Sequence, residues 1–238
     1  ALAGHAGGRL FVSLAARKIR LIMQLRQAGV ADTAVLRAIE QTPREHFVPE
    51  AFADQAYEAT TLPIGHGQTL SAPDVVARMT QALRPDTRAK VLEVGSGSGY
   101  QAAVLARLSR RVYTVERDRT LLAGAQQRWQ DLGLHNITAQ AGDGWRGWPG
   151  QAPFARIIVT AAAAEIPARL VDQLAEGGVL VVPVGARNQV QELLRITRDA
   201  TGATHEASLG PVRFVPLIQD DPGGQPGRAA GPSGPSLA

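Results

Sequence analysis

At Val91-Leu92-Glu93-Val94 the hydrophobic period of this chain changes, and the change restricts the fold more than any other feature. Upstream, apolar residues recur at helical spacing. Ile19, Ile22, Met23 and Leu25 mark one helix ending near Gly29. Val35, Leu36 and Ile39 face inward in a second, over residues 33–40, with Asp32 as its cap. Val75, Val76, Met79 and Leu83 mark a third, stopped by Pro85. Downstream, short apolar runs alternate with helices. Strands are predicted at 91–94, 111–116, 136–140, 154–160, 178–183, 192–197 (at an edge) and 212–217. Helices are predicted through Val104, Leu105 and Leu108, over 119–132 and over 167–174. Continuous apolar strands separated by helices describe an α/β chain with a mostly parallel sheet covered on both faces. Helix-only and all-β folds fit poorly.

With 238 residues the chain is expected to form one domain with appendages. Residues 1–16 are expected to be a flexible tail. Residues 17–219 form the domain, divided into an N-terminal helical and loop part (17–83) and a sheet core (84–219). Residues 220–238, where nine of nineteen positions are Gly or Pro, are expected to be disordered. There is no cysteine, which excludes disulfides, cysteine-ligated metals and a cysteine nucleophile. The histidines show no metal-type spacing, and no metal is expected. The longest nearly apolar stretch, 157–164, is far short of the ~18 residues needed to span a bilayer. The net charge is +4, but Arg9, Arg17, Lys18 and Arg20 lie in the first twenty residues, and the rest of the chain balances. No basic stripe of the kind a nucleic-acid surface needs is present in the body of the chain.

The 91–94 strand runs into Gly95-Ser96-Gly97-Ser98-Gly99-Tyr100 and then a helix. Glycines let the backbone turn tightly, and a helix start offers free N–H groups to an anion. The spacing is not that of the dinucleotide fingerprint, because Tyr100 stands where its last small residue belongs. The loop also lacks the Lys-Ser/Thr of a phosphate-binding loop. An amino-acid carboxylate, as carried by S-adenosylmethionine, fits better. Glu116 ends the second strand, where a carboxylate can accept from both ribose hydroxyls. Asp143-Gly144 follows the third and could read an adenine edge. Three such features at the carboxyl ends of successive strands lie where an open α/β sheet binds its ligand.

Some twenty-five residues before the glycine loop stands Pro63-Ile64-Gly65-His66-Gly67-Gln68-Thr69-Leu70-Ser71-Ala72-Pro73. It resembles the P-I-G-x-G-Q-T-I-S-x-P signature of protein-L-isoaspartate O-methyltransferases, with Leu70 in place of Ile. Further matches follow the family's order: Pro43-Arg44-Glu45-His46-Phe47-Val48, Ala56-Tyr57, the 92–101 segment, Gly142-Asp143-Gly144-Trp145, Ile158-Val159-Thr160-Ala161-Ala162, and Val212-Arg213-Phe214-Val215-Pro216-Leu217. The chain departs from the pattern at Ala59-Thr60-Thr61, where many members carry an Asp and a Pro.

The resemblance implies a Rossmann-like S-adenosylmethionine-dependent methyltransferase fold, a doubly wound sheet with an N-terminal helical segment. It implies S-adenosyl-L-methionine as cofactor and isoaspartyl-containing proteins and peptides as substrate, in a cytoplasmic monomer without membrane or nucleic-acid partners. Carried over by motif, the cofactor site comprises Gln68, Thr69, Leu70 and Ser71; Glu93, Gly95, Ser96, Gly97 and Gly99; Glu116 and Arg117; Asp143 and Gly144; and Thr160. Ser71 would stand beside the reacting carboxylate as the catalytic residue. Ala56, Tyr57, Val212, Phe214 and Val215 would hold the peptide. From spacing alone, Ser71-Ala72-Pro73-Asp74 also reads as a capping box for the helix that follows. A methyltransferase of the same fold acting on a small molecule or RNA, and a cofactor-binding scaffold without activity, stay open at this point. Methyl transfer to a carboxylate needs no general base, because a carboxyl with pKa about 3.9 is already ionised at neutral pH.

Overall fold

The computed structural model describes residues 13–219. The expected tails, 1–16 and 220–238, lie outside them except for residues 13–16. There the structure differs from expectation, because helix α1 (Leu14–Gln27) already starts at Leu14, with the Ser13 hydroxyl accepting from the Ala16 N–H. It buries Leu21 and Leu25 and leaves Ile19 and Met23 exposed. Helix α2 (Thr33–Gln41) is capped by Asp32 and turns Val35, Leu36 and Ile39 inward, as its spacing predicts. Two 3-10 turns follow, Arg44–Phe47 and Glu50–Gln55. An antiparallel hairpin of β1 (Leu62–Gly65) and β2 (Gln68–Leu70) leads into α3 (Pro73–Leu83).

The remaining chain builds a seven-stranded sheet. Its strands are β3 (Lys90–Val94), β4 (Arg111–Glu116), β5 (Ile137–Ala141), β6 (Phe154–Val159), β7 (Leu174–Val184), β8 (Gln191–Arg198) and β9 (Thr204–Val212). Helices α4 (Tyr100–Ala106), α5 (Arg119–Asp131) and the four-residue α6 (Ala168–Val171) connect them. The order is β5-β4-β3-β6-β7-β8-β9. The first five in that order pair in parallel, and β8 and β9 add antiparallel at one edge. The chain therefore leaves β3 to one side first and to the other later. This reversal opens a crevice at the carboxyl ends of β3, β4 and β6.

The alternation of side chains along the strands divides the core into two layers. Val91, Val112, Ile158 and Val179 pack with residues of α1 to α5 on one face. Leu92, Val94, Val115, Ile157 and Leu180 pack with α6 and the Trp145 and Trp148 region on the other. Three expected elements are corrected. The helix over 167–174 shrinks to one turn, because Leu174 already belongs to the long β7. Strand β8 is internal rather than an edge, because β9 pairs along it. Residues 212–217 are not a strand beyond Val212. The chain leaves the sheet there and crosses to the end of β6, where Pro216 bridges Ala162. No helix among the described residues is long and apolar enough to cross a membrane.

Candidate active site

The crevice is a cavity of about 380 Å³. Its floor is the loop after β3. Gly95 continues the ladder by donating to the Val115 carbonyl (2.8 Å), and the Gly99 N–H closes a turn onto the Ser96 carbonyl (2.7 Å). Gly95 and Gly99 have φ near +90°, a conformation that only glycine adopts without strain. A Cβ on Gly95 would stand 2.7 Å from the Thr160 hydroxyl, so nothing larger fits. Gly99 sits against α5. Its carbonyl accepts from the Trp129 indole N–H (2.8 Å), and a Cβ there would meet that ring. Gly99 thus provides the close packing for which the dinucleotide pattern uses a later glycine, and Tyr100 is free to be a buried core residue.

Around this floor the expected cofactor residues gather unequally. Gln68, Thr69, Leu70, Ser71, Gly95, Ser96, Gly97, Glu116, Arg117, Gly144 and Thr160 all line the cavity. The Ser96 hydroxyl is buried there without a protein partner. A buried hydroxyl left unpaired is costly, and a ligand atom in the cavity would satisfy it. Glu116 accepts from the Gly97 N–H through one oxygen and from the Asp118 N–H through the other, both at 2.9 Å. These bonds fix the carboxylate at the cleft and leave each oxygen capacity for a further donor. Thr160 donates to the carbonyls of Val94 (3.0 Å) and Gly95, so its hydroxyl pins the loop. Asp143 does not itself line the cavity; it is buried just before Gly144, which does, and accepts from the Trp145 N–H (2.9 Å).

Glu93 does not line the cavity. It lies on the α4 face with Val91, fully buried, and accepts from the Thr114 hydroxyl (2.6 Å) through Oε2, while Oε1 has no partner. Burial pushes its carboxyl up to about 8, with the Thr114 hydroxyl and the Ala102 N–H opposing and the charge of Glu116 assisting. The core thus favours the neutral acid. Strand alternation explains the correction, because only Val94 and the residues after it reach the cleft.

The opposite wall comes from the hairpin and the C-terminal segment. The hairpin lies over the glycine loop, with Ile64 Cδ1 3.3 Å from where a Cβ on Gly97 would be. His66, at the hairpin tip with φ +53°, places Nδ1 2.8 Å from Asp118 Oδ2. Asp118 also caps α5. Its carboxyl lies below the usual range, because the Leu121 and Thr120 N–H groups and His66 outweigh the upward push of burial. Phe214, Val215 and Leu217 line the cavity. They are tied down by Phe214 N–H to Gln191 (2.9 Å), Ala162 N–H to the Val215 carbonyl (2.8 Å) and Trp145 Nε1 to the Leu217 carbonyl (3.2 Å).

Ser71 lies between β2 and α3, lining the cavity. It is not the cap its spacing suggests. Ala72 occupies that place, and no side chain caps the helix. The Ser71 hydroxyl therefore makes no capping bond. Ala56, Tyr57 and Val212, expected on the peptide side, are buried and do not line this cavity. Tyr57 donates its hydroxyl to Glu45, and Val212 pairs with Gln191 in the sheet. One residue that the motif reading named without a role is Arg44, which bonds the carbonyls of both Ala56 and Ser71. Nothing in spacing marks an arginine whose partners are carbonyls.

Comparison with known proteins agrees with this geometry. Residues 16–221 match the family model of protein-L-isoaspartate(D-aspartate) O-methyltransferase. A protein-L-isoaspartate O-methyltransferase of Rhodospirillum centenum is 61% identical over 210 residues, spanning 88% of this chain and 95% of that one. One from Rhodospirillum rubrum is 59% identical over 212 residues, spanning 89% and 97%. Among solved structures, a candidate enzyme of the same kind from Plasmodium falciparum, in complex with S-adenosyl-L-homocysteine, superimposes with a TM-score of 0.72 at 28% identity. The match covers 86% of this chain and 99% of that one. The match along nearly the whole domain, together with a glycine-floored cleft at the sheet's reversal point, means that this chain belongs to the protein-L-isoaspartate(D-aspartate) O-methyltransferase family.

Proposed function

We propose that the cleft binds S-adenosyl-L-methionine and that Ser71 presents the acceptor, in an enzyme that methylates the free α-carboxyl of L-isoaspartyl residues in damaged proteins and peptides. The methyl ester so formed, unlike the carboxylate, has a good leaving group in its methoxy oxygen, and repair proceeds as the following backbone nitrogen attacks the ester carbonyl, loses its proton and expels methanol to close a succinimide. The observation that carries this reading is two serines in one cavity whose hydroxyls are not used by the fold. Ser96 lies buried and unpaired on the glycine loop, and Ser71 stands on the other wall without the capping bond its spacing predicts.

The residues fit the cofactor. Ser96 and the N–H groups of the glycine loop suit a carboxylate, Glu116 suits the ribose hydroxyls, and Asp143 with the Gly144 N–H suits adenine. When bound, S-adenosyl-L-methionine supplies a sulfonium methyl that the carboxylate takes up in one in-line displacement, the bonding pair leaving on sulfur. The protein's task is positioning, which in well-aligned cases is worth up to about 7–11 kcal/mol. Ser71 donates to one oxygen of the acceptor carboxylate and aims the other. Leu70, Phe214 and Val215 exclude water from the path. Phe214 and Val215 hold the peptide, and Ala56 and Tyr57 contribute through the main chain. We further take the enzyme to act as a monomer in the cytoplasm.

The test is methyl transfer to two peptides that differ only in isoaspartate versus aspartate. Base-labile label on the isoaspartyl peptide alone is expected. Label on neither, or on an RNA or small-molecule acceptor instead, overturns the reading. In the same assay Ser71→Ala is expected to lower kcat about 10–100-fold, the worth of one hydrogen bond to a charged group. Its cofactor Kd should stay within threefold of wild type. A parallel loss of cofactor affinity would move Ser71 out of the acceptor role.

A further inference from the structure

Arg44 is a buried cation whose direct hydrogen bonds go to carbonyls. Its side chain is fully buried, and no ion pair involving it is present among the described residues. Its Nε donates to the Ala56 carbonyl (2.7 Å) and one terminal nitrogen donates to the Ser71 carbonyl (2.6 Å), while the other terminal nitrogen has no partner. The guanidinium carbon lies 4.8 Å from the centroid of the buried Tyr100 ring, which packs edge-on against Phe47. A charge buried without an anion is costly unless something offsets it. Carbonyl dipoles and an aromatic face do so in part. Burial holds its pKa below the usual arginine value, and the Tyr100, Tyr57 and Asp74 side chains oppose that effect. The guanidinium fork is planar and rigid, so the Ser71 and Ala56 carbonyls are kept at a set separation, although they lie far apart in sequence.

We propose that Arg44 is a positioning and specificity residue: its fork ties the Ser71 backbone to that of Ala56, and its charge behind Ser71, held by carbonyls rather than by an ion pair, selects an ionised acceptor carboxylate. This deepens the assignment of Ser71 to the acceptor and rests on it. The substrate anion then adds to a charge arrangement that Asp74 and the aromatic rings offset only in part. Arg44 touches neither substrate nor cofactor and acts through Ser71 and through its field.

Two substitutions separate fork from charge. Arg44→Lys keeps a cation and loses the planar fork. It is expected to lower kcat about 10–100-fold, the cost of a small misplacement of reacting groups, with the S-adenosyl-L-methionine Kd within threefold of wild type. Arg44→Met removes the charge. With S-adenosyl-L-homocysteine present, wild type is expected to bind an isoaspartyl peptide far more tightly than its neutral α-carboxamide analogue. In Arg44→Met that preference should fall about tenfold or more, while Arg44→Lys retains it. A purely structural role would leave the preference unchanged and would weaken cofactor binding together with turnover, and that result overturns the proposal. If Arg44→Met does not fold, the kcat-against-Kd split of Arg44→Lys decides. Wild-type turnover of the isoaspartyl peptide is the control. Its absence would sink the functional reading, whereas an active wild type with an equally active Arg44→Lys sinks only the role of Arg44.

Discussion

The cofactor wall of the cleft is held chiefly by backbone. Gly95 and Thr160 extend the ladders of β3, and the glycine turn closes on itself through Gly99 and Ser96. The acceptor wall is held by side chains that reach carbonyls or N–H groups far away in sequence: Arg44 to Ala56 and Ser71, Gln191 to Phe214, Trp145 to Leu217. A sheet terminus supplies a rigid platform because its internal parallel strands pair on both sides, and the side chains of Thr160, Glu116 and Trp129 add only short ties to the loop that follows. A hairpin of four- and three-residue strands and a crossing C-terminal segment have no such ladder. They need buried polar side chains as struts. Damage to the first wall should therefore cost stability and cofactor binding together, whereas damage to the second should cost turnover.

The largest expected effect lies on the cofactor wall. Gly99→Ala puts a Cβ 2.7 Å from the Trp129 indole nitrogen and 2.9 Å from Ala125, at φ +90°. Left-handed strain of about 1–2 kcal/mol adds to overpacking of about 1–3 kcal/mol. The melting temperature should fall by about 10 °C. Moving the indole also breaks its bond to the Gly99 carbonyl and shifts the start of α4, so cofactor affinity should drop at least about tenfold. Calorimetric melting and cofactor titration check both at once. A stable variant with weakened turnover and intact cofactor binding would break the contrast between the walls.

Much of the cofactor wall was legible in the sequence. Strand β4 occupies the residues its apolar run predicts, and the glycine loop lies where the period changes. Asp32 caps α2 as its spacing requires. These features are periodic or punctuated, and periodicity records which side chains face the core. The acceptor wall leaves no such trace. The β1–β2 hairpin is too short to alternate visibly, and β9 exposes five consecutive residues, so it reads as loop. Ser71 reads as a cap because the local pattern is that of a capping box, yet the structure begins α3 one residue later, with Pro73 in its first turn. Arg44 bonds carbonyls, which every residue has, so no pairing of residue types reveals it.

Glu93 sharpens the boundary between wall and core. The motif places it in the cofactor site, and the structure places it beneath α4 with its carboxyl pushed up to about 8. The folded chain therefore holds a proton there that the unfolded chain has released between about 4.5 and 8. By linkage, stability falls as pH rises through that window and levels off above it. Glu93→Gln is isosteric with the neutral acid and removes this loss. It should match wild type near pH 5 and exceed it at pH 9 by a few kcal/mol at most, measured as denaturant midpoints across pH. Cofactor affinity at pH 7 should be unchanged. Parallel pH profiles would refute a neutral Glu93, and a tenfold loss of affinity would return it to the cofactor site.

The smallest expected effect is at the point where the two walls touch. His66 carries the hairpin to Asp118, beyond Glu116 on the cofactor side, through a contact of 2.8 Å. Both side chains are partly exposed, at 45% and 27%. A pair so placed is worth about 0–1 kcal/mol. Asp118 keeps its cap on α5 without His66, because the Thr120 and Leu121 N–H groups still bind it. The hairpin keeps its seat on the glycine loop through Ile64. His66→Ala should therefore weaken cofactor binding no more than about fivefold, the limit set by 1 kcal/mol, and leave the melting temperature within about 3 °C. Titration calorimetry measures the first and a thermal melt the second. A loss above tenfold would mean that the hairpin depends on this latch rather than on apolar contact. The acceptor wall would then borrow its order from the cofactor wall instead of from its own buried struts.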